Sequence, residues 1–219
     1  MRVFGLGLIA AALAVWLLAD PCEARRDPWQ VGPHLLIAVP MDDFQNVSGV
    51  GGGLGIRGNY ELSDVFSIRG DAAYLSYGRK FETLYFGPSI GFLQAETTSQ
   101  NYRLSLGPQL SFYGTKFIVY TSGQAGAYLF RTAITVPGTT YSDSRDTHWA
   151  LGWNGALGVQ FDVGLGPWLD VGVAYQTMYD LPGPTRENPD DPDAAPIQGD
   201  DITAQELTIE LGIQFFLKK

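Results

Sequence analysis

Apolar and polar residues alternate along most of this chain. In QELTIELGIQFFLKK, residues 205–219, Leu207, Ile209, Leu211, Ile213, Phe215 and Leu217 fall on one face of an extended strand, and Glu206, Thr208, Glu210, Gly212, Gln214 and Phe216 on the other. The same period of two governs WQVGPHLLIAVP, where Trp29, Val31, Leu35, Ile37 and Val39 share a face. It continues in VGGGLGIRGNYEL, where Leu54, Ile56 and Tyr60 oppose Arg57, Asn59 and Glu61, and in FSIRGDAAY, where Phe66 and Ile68 oppose Arg69 and Asp71. Farther on, Leu104 and Leu106 oppose Arg103 and Ser105, Trp149 to Phe161 oppose Asn154, Gln160 and Asp162, and Leu169 to Tyr175 oppose Asp170 and Gln176. In FIVYTSGQAGAYLF the facing is open, because Tyr120, Ser122, Gln124 and Tyr128 share a side and tyrosine suits either.

These segments predict eight antiparallel strands. Residues 79–98 hold one more alternating stretch, which we read as the projecting tip of the third and fourth strands, turning near Gly87 and Pro88. Ten strands is the alternative, since an even count is the rule for single-chain bacterial barrels. The connections sort by length. Those at Ser63-Asp64, Gly114 to Lys116 and Gly164 to Pro167 are short, whereas those at 41–49, 78–101, 133–148 and 181–201 are long and mostly polar. Strict alternation of short and long connections belongs to a barrel with one periplasmic and one external end.

Composition agrees with one all-β unit: 27 glycines, 13% aromatic residues and 17% charged residues, the last well below the about 25% of ordinary domains. A net charge of −9 argues against nucleic acid or an anionic surface as partner, since both are bound through clustered lysine and arginine. At the N-terminus Arg2 precedes an uncharged apolar run, Val3 to Ala19, followed by Asp20, Pro21 and a small-x-small signal ending at Ala24. This predicts a signal peptide over residues 1–24 and a mature domain over 25–219. Retention of the run as an anchor is the alternative, and it stands at the short limit of a helical span. Cys22, the only cysteine, leaves with the signal; a lipidated Cys22 would need a small residue where Pro21 stands.

The decisive matter is which face is dry. The polar face carries Arg57, Arg69 and Arg103 with Glu61, Asp71, Asp162, Asp170, Glu206 and Glu210, and is rich in small residues such as Gly51, Gly53, Gly55, Gly152 and Gly158. In a soluble periplasmic lipocalin-like binder this face would be the outside. In a membrane barrel it lines the lumen, where opposite charges pair and an eight-stranded interior leaves little room. Trp29, Trp149 and Trp168 stand at strand ends, as an interfacial aromatic belt requires. The expected fold is therefore an all-β, eight-stranded, antiparallel up-and-down transmembrane β-barrel, with the nine charged residues as candidates for lumen ion pairs.

The hairpin GLGIRGNYELSDVFSIRGDAAYLSYG, the strand LGPQLSF and the final LTIELGIQFF resemble the small outer-membrane β-barrels of Gram-negative bacteria, the OmpA-like and OmpX-like transmembrane domains. The resemblance covers residues 29–217 and implies an outer-membrane location, contact with lipid and lipopolysaccharide, and handling by the barrel-insertion machinery. It implies a structural or surface-interaction role, with a small gated channel as the alternative. Two departures accompany it. No peptidoglycan-binding domain is expected after the barrel, and Leu217-Lys218-Lys219 stands where the family ends on an aromatic residue, so Phe215 or Phe216 would serve the insertion machinery.

No catalytic, cofactor or metal site is expected. Some barrels of this kind modify lipid A with a histidine and a serine two residues apart, but here Leu36 follows His34 and Ala150 follows His148. GVGGGLG lacks the spacing and the following helix of a nucleotide loop. The acidic segment with Glu187, Asp190, Asp191, Asp193, Asp200 and Asp201 breaks the calcium-loop frame at Ala195 and Pro196. It reads as a solvated external loop whose partner is unidentified.

Overall fold

A computed structural model describes residues 28–85, 92–135, 142–143, 147–164, 166–181 and 202–217. The expected signal peptide with Cys22, the expected tip at Gly87 and Pro88, the acidic segment 182–201, and Lys218 and Lys219 lie outside the described residues.

Eight strands close on themselves. They are β1 (Trp29–Met41), β2 (Gly51–Glu61), β3 (Phe66–Tyr77), β5 (Phe92–Tyr113), β6 (Phe117–Thr135), β8 (Thr147–Asp162), β9 (Trp168–Leu181) and β10 (Ile202–Leu217). Each pairs antiparallel with the next, and β1 pairs with β10 from Trp29–Leu217 to Met41–Gln205, which closes the ring. Two shorter strands lie beyond it. β4 (Lys80–Tyr85) continues the β3 edge along the outer part of β5, and β7 (Ser142–Asp143) pairs with the end of β6. The described residues 80–85 and 92–98 therefore add length to the β3–β5 hairpin and no further wall, and the count around the barrel is eight instead of ten.

The period of two puts every second side chain inside. Leu54, Ile56, Leu104, Leu106, Leu151 and Ile209 are exposed on the outer surface, while Arg57, Asn59, Arg69, Arg103, Gln160 and Glu210 are buried within. This inverts the arrangement of a soluble protein. With Trp149 and Leu151 at 71% and 72% exposure, the outer surface suits hydrocarbon and not water, and the soluble-binder alternative falls. Closure also leaves no unpaired strand edge to the lipid. Tyr120, Ser122, Gln124 and Tyr128 point inward, which resolves the open facing of β6. One aromatic expectation fails: Trp29 and Trp149 face outward, but Trp168 is 5% exposed and packs inward against Phe216 at 5.5 Å.

Both described chain ends and the short turns lie at one end of the barrel. Ser63 Oγ accepts from Phe66 N–H at 3.1 Å, and the 163–167 turn uses Gly164 at φ +75° and Gly166 at φ +96°, backbone regions suited to glycine. Among the wall positions that need glycine for closeness are two beside prolines. A Cβ on Gly32 would lie 1.7 Å from the Ile213 carbonyl oxygen, and one on Gly107 2.1 Å from that of Gly123. Each precedes a proline, which cannot donate to the ladder. There the β1–β10 register runs from Val31–Phe215 to His34–Gly212, and that of β5–β6 from Leu106–Ala125 to Gln109–Ser122, with no ladder pair between.

Candidate functional site: the charged lumen

Inward-facing positions on adjacent strands meet at fixed heights, so the register decides which charges become neighbours. Arg57 of β2 lies directly across the ladder from Asp71 of β3, and its Nε donates to Asp71 Oδ1 at 2.9 Å. Its guanidinium also reaches across the lumen. Arg57 Nη1 donates to Asp170 Oδ2 of β9 at 2.5 Å, and Nη2 donates to Glu210 of β10. Arg69 Nε donates to Asp71 Oδ2 at 2.7 Å and its Nη2 to Glu210 Oε2 at 3.1 Å. Arg103 of β5 donates to Glu210 Oε1 at 3.2 Å and to Gln176 Oε1 at 3.1 Å.

Neutral groups complete the layer. Tyr120 OH donates to Asp170 Oδ1 at 2.9 Å, and its ring lies 5.3 Å from the Arg69 guanidinium carbon. Gln124 Nε2 donates to Asp71 Oδ2 at 2.7 Å. His34 of β1 places Nε2 at 3.9 Å from Asp71 Oδ1. Three guanidiniums and three carboxylates thus form one charge-balanced layer. Such charges are tolerable only because each has both an opposite partner and hydrogen bonds; an isolated one would carry a penalty of several kcal/mol, on the order of that for any buried ion.

Of the nine charged residues the sequence offers, Arg57, Arg69, Asp71, Arg103, Asp170 and Glu210 come together here. Three stand elsewhere. Glu206 is buried nearer the outer end, where it accepts from Tyr77 OH at 2.5 Å and Thr208 Oγ1 at 3.4 Å. It lies four positions before Glu210, which is about 13 Å of strand. Glu61 lies near the short-turn end and accepts from Gln30 Nε2 at 2.7 Å and Tyr113 OH at 2.5 Å. Asp162 corrects the expectation most clearly. At the last position of β8 it accepts from Gly164 N–H at 2.8 Å and, among the described residues, forms no ion pair.

The residues that sequence reasoning passed over are mostly uncharged. Tyr120 and Gln124 were visible only as members of an unassigned face, and Tyr77 only as the end of a hairpin. Leu36, Ala38 and Leu75 also point inward, in an outer apolar layer with Phe44, Tyr77 and Phe130. Alternation sets Leu36 opposite its outward neighbour Leu35, but its apolar type gave no reason to expect it inside a polar lumen.

The family model described as the outer membrane protein beta-barrel domain matches residues 6–215. No curated protein matches the chain in sequence. Among solved structures, Neisserial surface protein A is similar over 87% of this chain and 97% of its own, at 16% identity and a TM-score of 0.52. OprG from Pseudomonas aeruginosa covers 85% and 94% at 12% identity with a TM-score of 0.47. Ail from Yersinia pestis covers 85% and 96% at 14% identity with a TM-score of 0.43.

Proposed function

This chain belongs to the outer membrane protein β-barrel domain family, and from that premise we propose that it serves the envelope as a closed, non-conducting and non-catalytic barrel. It resides in the bacterial outer membrane, with its apolar wall against lipid. The observation that carries the closed reading is the ionic layer, in which side chains from β2, β3, β5, β9 and β10 meet across the lumen. An eight-stranded barrel has an interior just wide enough for side chains, and here those side chains are bonded to one another.

The external loops do the work of contact in this reading. They are the polar, variable-length connections opposite the short turns, and lipopolysaccharide or a macromolecule outside the cell is the partner class they can reach. Residues 1–24 act as the export signal in a Gram-negative envelope. Phe215, whose side chain faces outward, is the aromatic group offered to the insertion machinery. Neither His34, in the ionic layer, nor His148 has a serine two residues on, which favours a barrel without catalysis.

Planar-bilayer recordings of the refolded protein test the closed reading: no stable conductance above background is expected, and a persistent wide pore would refute it. Mass measurement of the membrane-extracted chain tests the signal, with Arg25 expected as its first residue. A small gated channel is the reading to which a conducting result would lead.

A further inference from the structure

Outside the ionic layer the lumen is closed a second time, by different chemistry. The connection leaving β1 holds a single turn of helix, α1 (Phe44–Val47). Asp42, Asp43, Gln45 and Asn46 around it are exposed, whereas Phe44 is 1% exposed. Its ring points into the barrel mouth, edge-on to Tyr77 of β3 at 5.3 Å and to Phe130 of β6 at 5.6 Å. Those two rings are 5.9 Å apart, so the three make a triangle. Leu36 and Ala38 of β1, Leu75 of β3 and Ala204 of β10 complete the apolar surround. Tyr77 joins this seal to the polar interior beneath, because its hydroxyl donates to Glu206 of β10.

The attachment of α1 is slight. One turn of helix has no stability of its own, no side-chain bond caps it at Asp43, and the preceding Asp42 sits at φ +49°, a conformation that non-glycine residues adopt at some cost. Backbone bonds within the turn, such as Ser48 N–H to the Phe44 carbonyl at 3.0 Å, shape it without tying it to the wall. Among the described residues, what seats it is the burial of the Phe44 ring, with Ser48 buried at the end of the turn. An aromatic side chain on a short exposed turn, lodged in a ring-lined mouth, has the construction of a stopper on a strap.

We propose that Phe44 is such a stopper: it closes the external mouth independently of the ionic layer, so that the lumen opens only when both are displaced. The inference rests on the reading of the barrel as closed. It leaves Glu206, Thr208 and the Tyr77 hydroxyl as a buried layer between the rings and the arginines, which meets the outside when α1 swings away.

Thiol accessibility and conductance together test this. With Cys22 replaced by serine, Thr208→Cys puts a single thiol at a fully buried position beneath the rings. A membrane-impermeant maleimide should label it slowly when Phe44 is present. In Phe44→Ser labelling should be faster by about tenfold or more, because modification beneath a locally opening element follows the open population. In bilayers, Phe44→Ser alone, Arg57→Ala alone and Arg103→Gln alone should each stay at the wild-type level. Phe44→Ser combined with either arginine variant should conduct. Heat-modifiable gel mobility verifies that each variant is folded, and Arg103→Gln serves if Arg57→Ala does not fold. Equal labelling rates with and without Phe44, or an arginine variant that conducts as well as its combination with Phe44→Ser, would overturn the stopper. A combination that stays silent would do the same. A wide pore in the unaltered protein would instead overturn the closed-barrel reading on which the stopper rests.

Discussion

Strand β10 passes through two regions of one lumen that are closed by opposite means. At Glu210 it enters a layer where one carboxylate receives hydrogen bonds from Arg57, Arg69 and Arg103. At Ala204 it lines a mouth filled by Phe44, Tyr77 and Phe130. The ionic layer is bonded between strands of the wall, and each member satisfies several others. The apolar mouth is held by dispersion and exclusion of water around a ring carried on a turn. The first can be lost only by leaving a buried charge without its partner, the second by moving a single side chain outward. A barrel of this size can therefore combine a rigid middle with a mouth that yields, although the same strands build both.

The largest break in this contrast comes from the middle. Arg57→Ala removes the donor that Asp71, Asp170 and Glu210 all share and should cost about 3–5 kcal/mol, the scale for breaking a buried ion pair. Reversible urea unfolding in lipid vesicles would measure it, and a loss no greater than that of Phe44→Ala would dissolve the distinction between the two regions. Next comes the wall around the ionic layer. Leu106 faces outward opposite Gly70, between Arg69 and Asp71 in sequence, and Leu106→Arg should cost roughly 2–4 kcal/mol if it lies near the bilayer midplane. A neutral result in the same titration would mean that this face does not meet hydrocarbon.

A smaller loss is expected at the mouth. Phe44→Ala removes most of one buried ring and should cost about 2 kcal/mol, within the range for burying such a side chain. Its heat-modifiable mobility should be retained, because α1 takes no part in the wall. The smallest effect belongs to Asp162→Asn, which should change stability by no more than about 0.5 kcal/mol, as for a surface position. A larger loss there would return Asp162 to the lumen network.

Much of this was legible in the chain because alternation is a local property. A residue's parity within its strand assigns it to a face, and the short turns at 63–64, 114–116 and 164–167 set which strand ends share a side. Parity held even at Leu36 and Trp168, which fall on the inner face with Ala38 and Asp170, but their apolar type argued for the outer face, and there residue type misled. Phe44 gave no periodic signal at all, since it follows two aspartates in a stretch that reads as a polar connection. Glu206 and Glu210 looked equivalent because they share a face; their surroundings differ because they sit at different depths.

The period of two, the sorting of connections and the low charge content are properties of the chain alone, and from these an outward apolar wall follows for any closed sheet that this chain forms in lipid. Which charges meet follows from the assembled barrel and not from any one strand. Arg57 and Glu210 are 153 residues apart and become partners because β1 closes on β10 at one register, while Asp162, of the right type on the right face, remains at a turn. Face is set by each strand alone, but depth and partnership depend on the stagger of all eight strands around the ring.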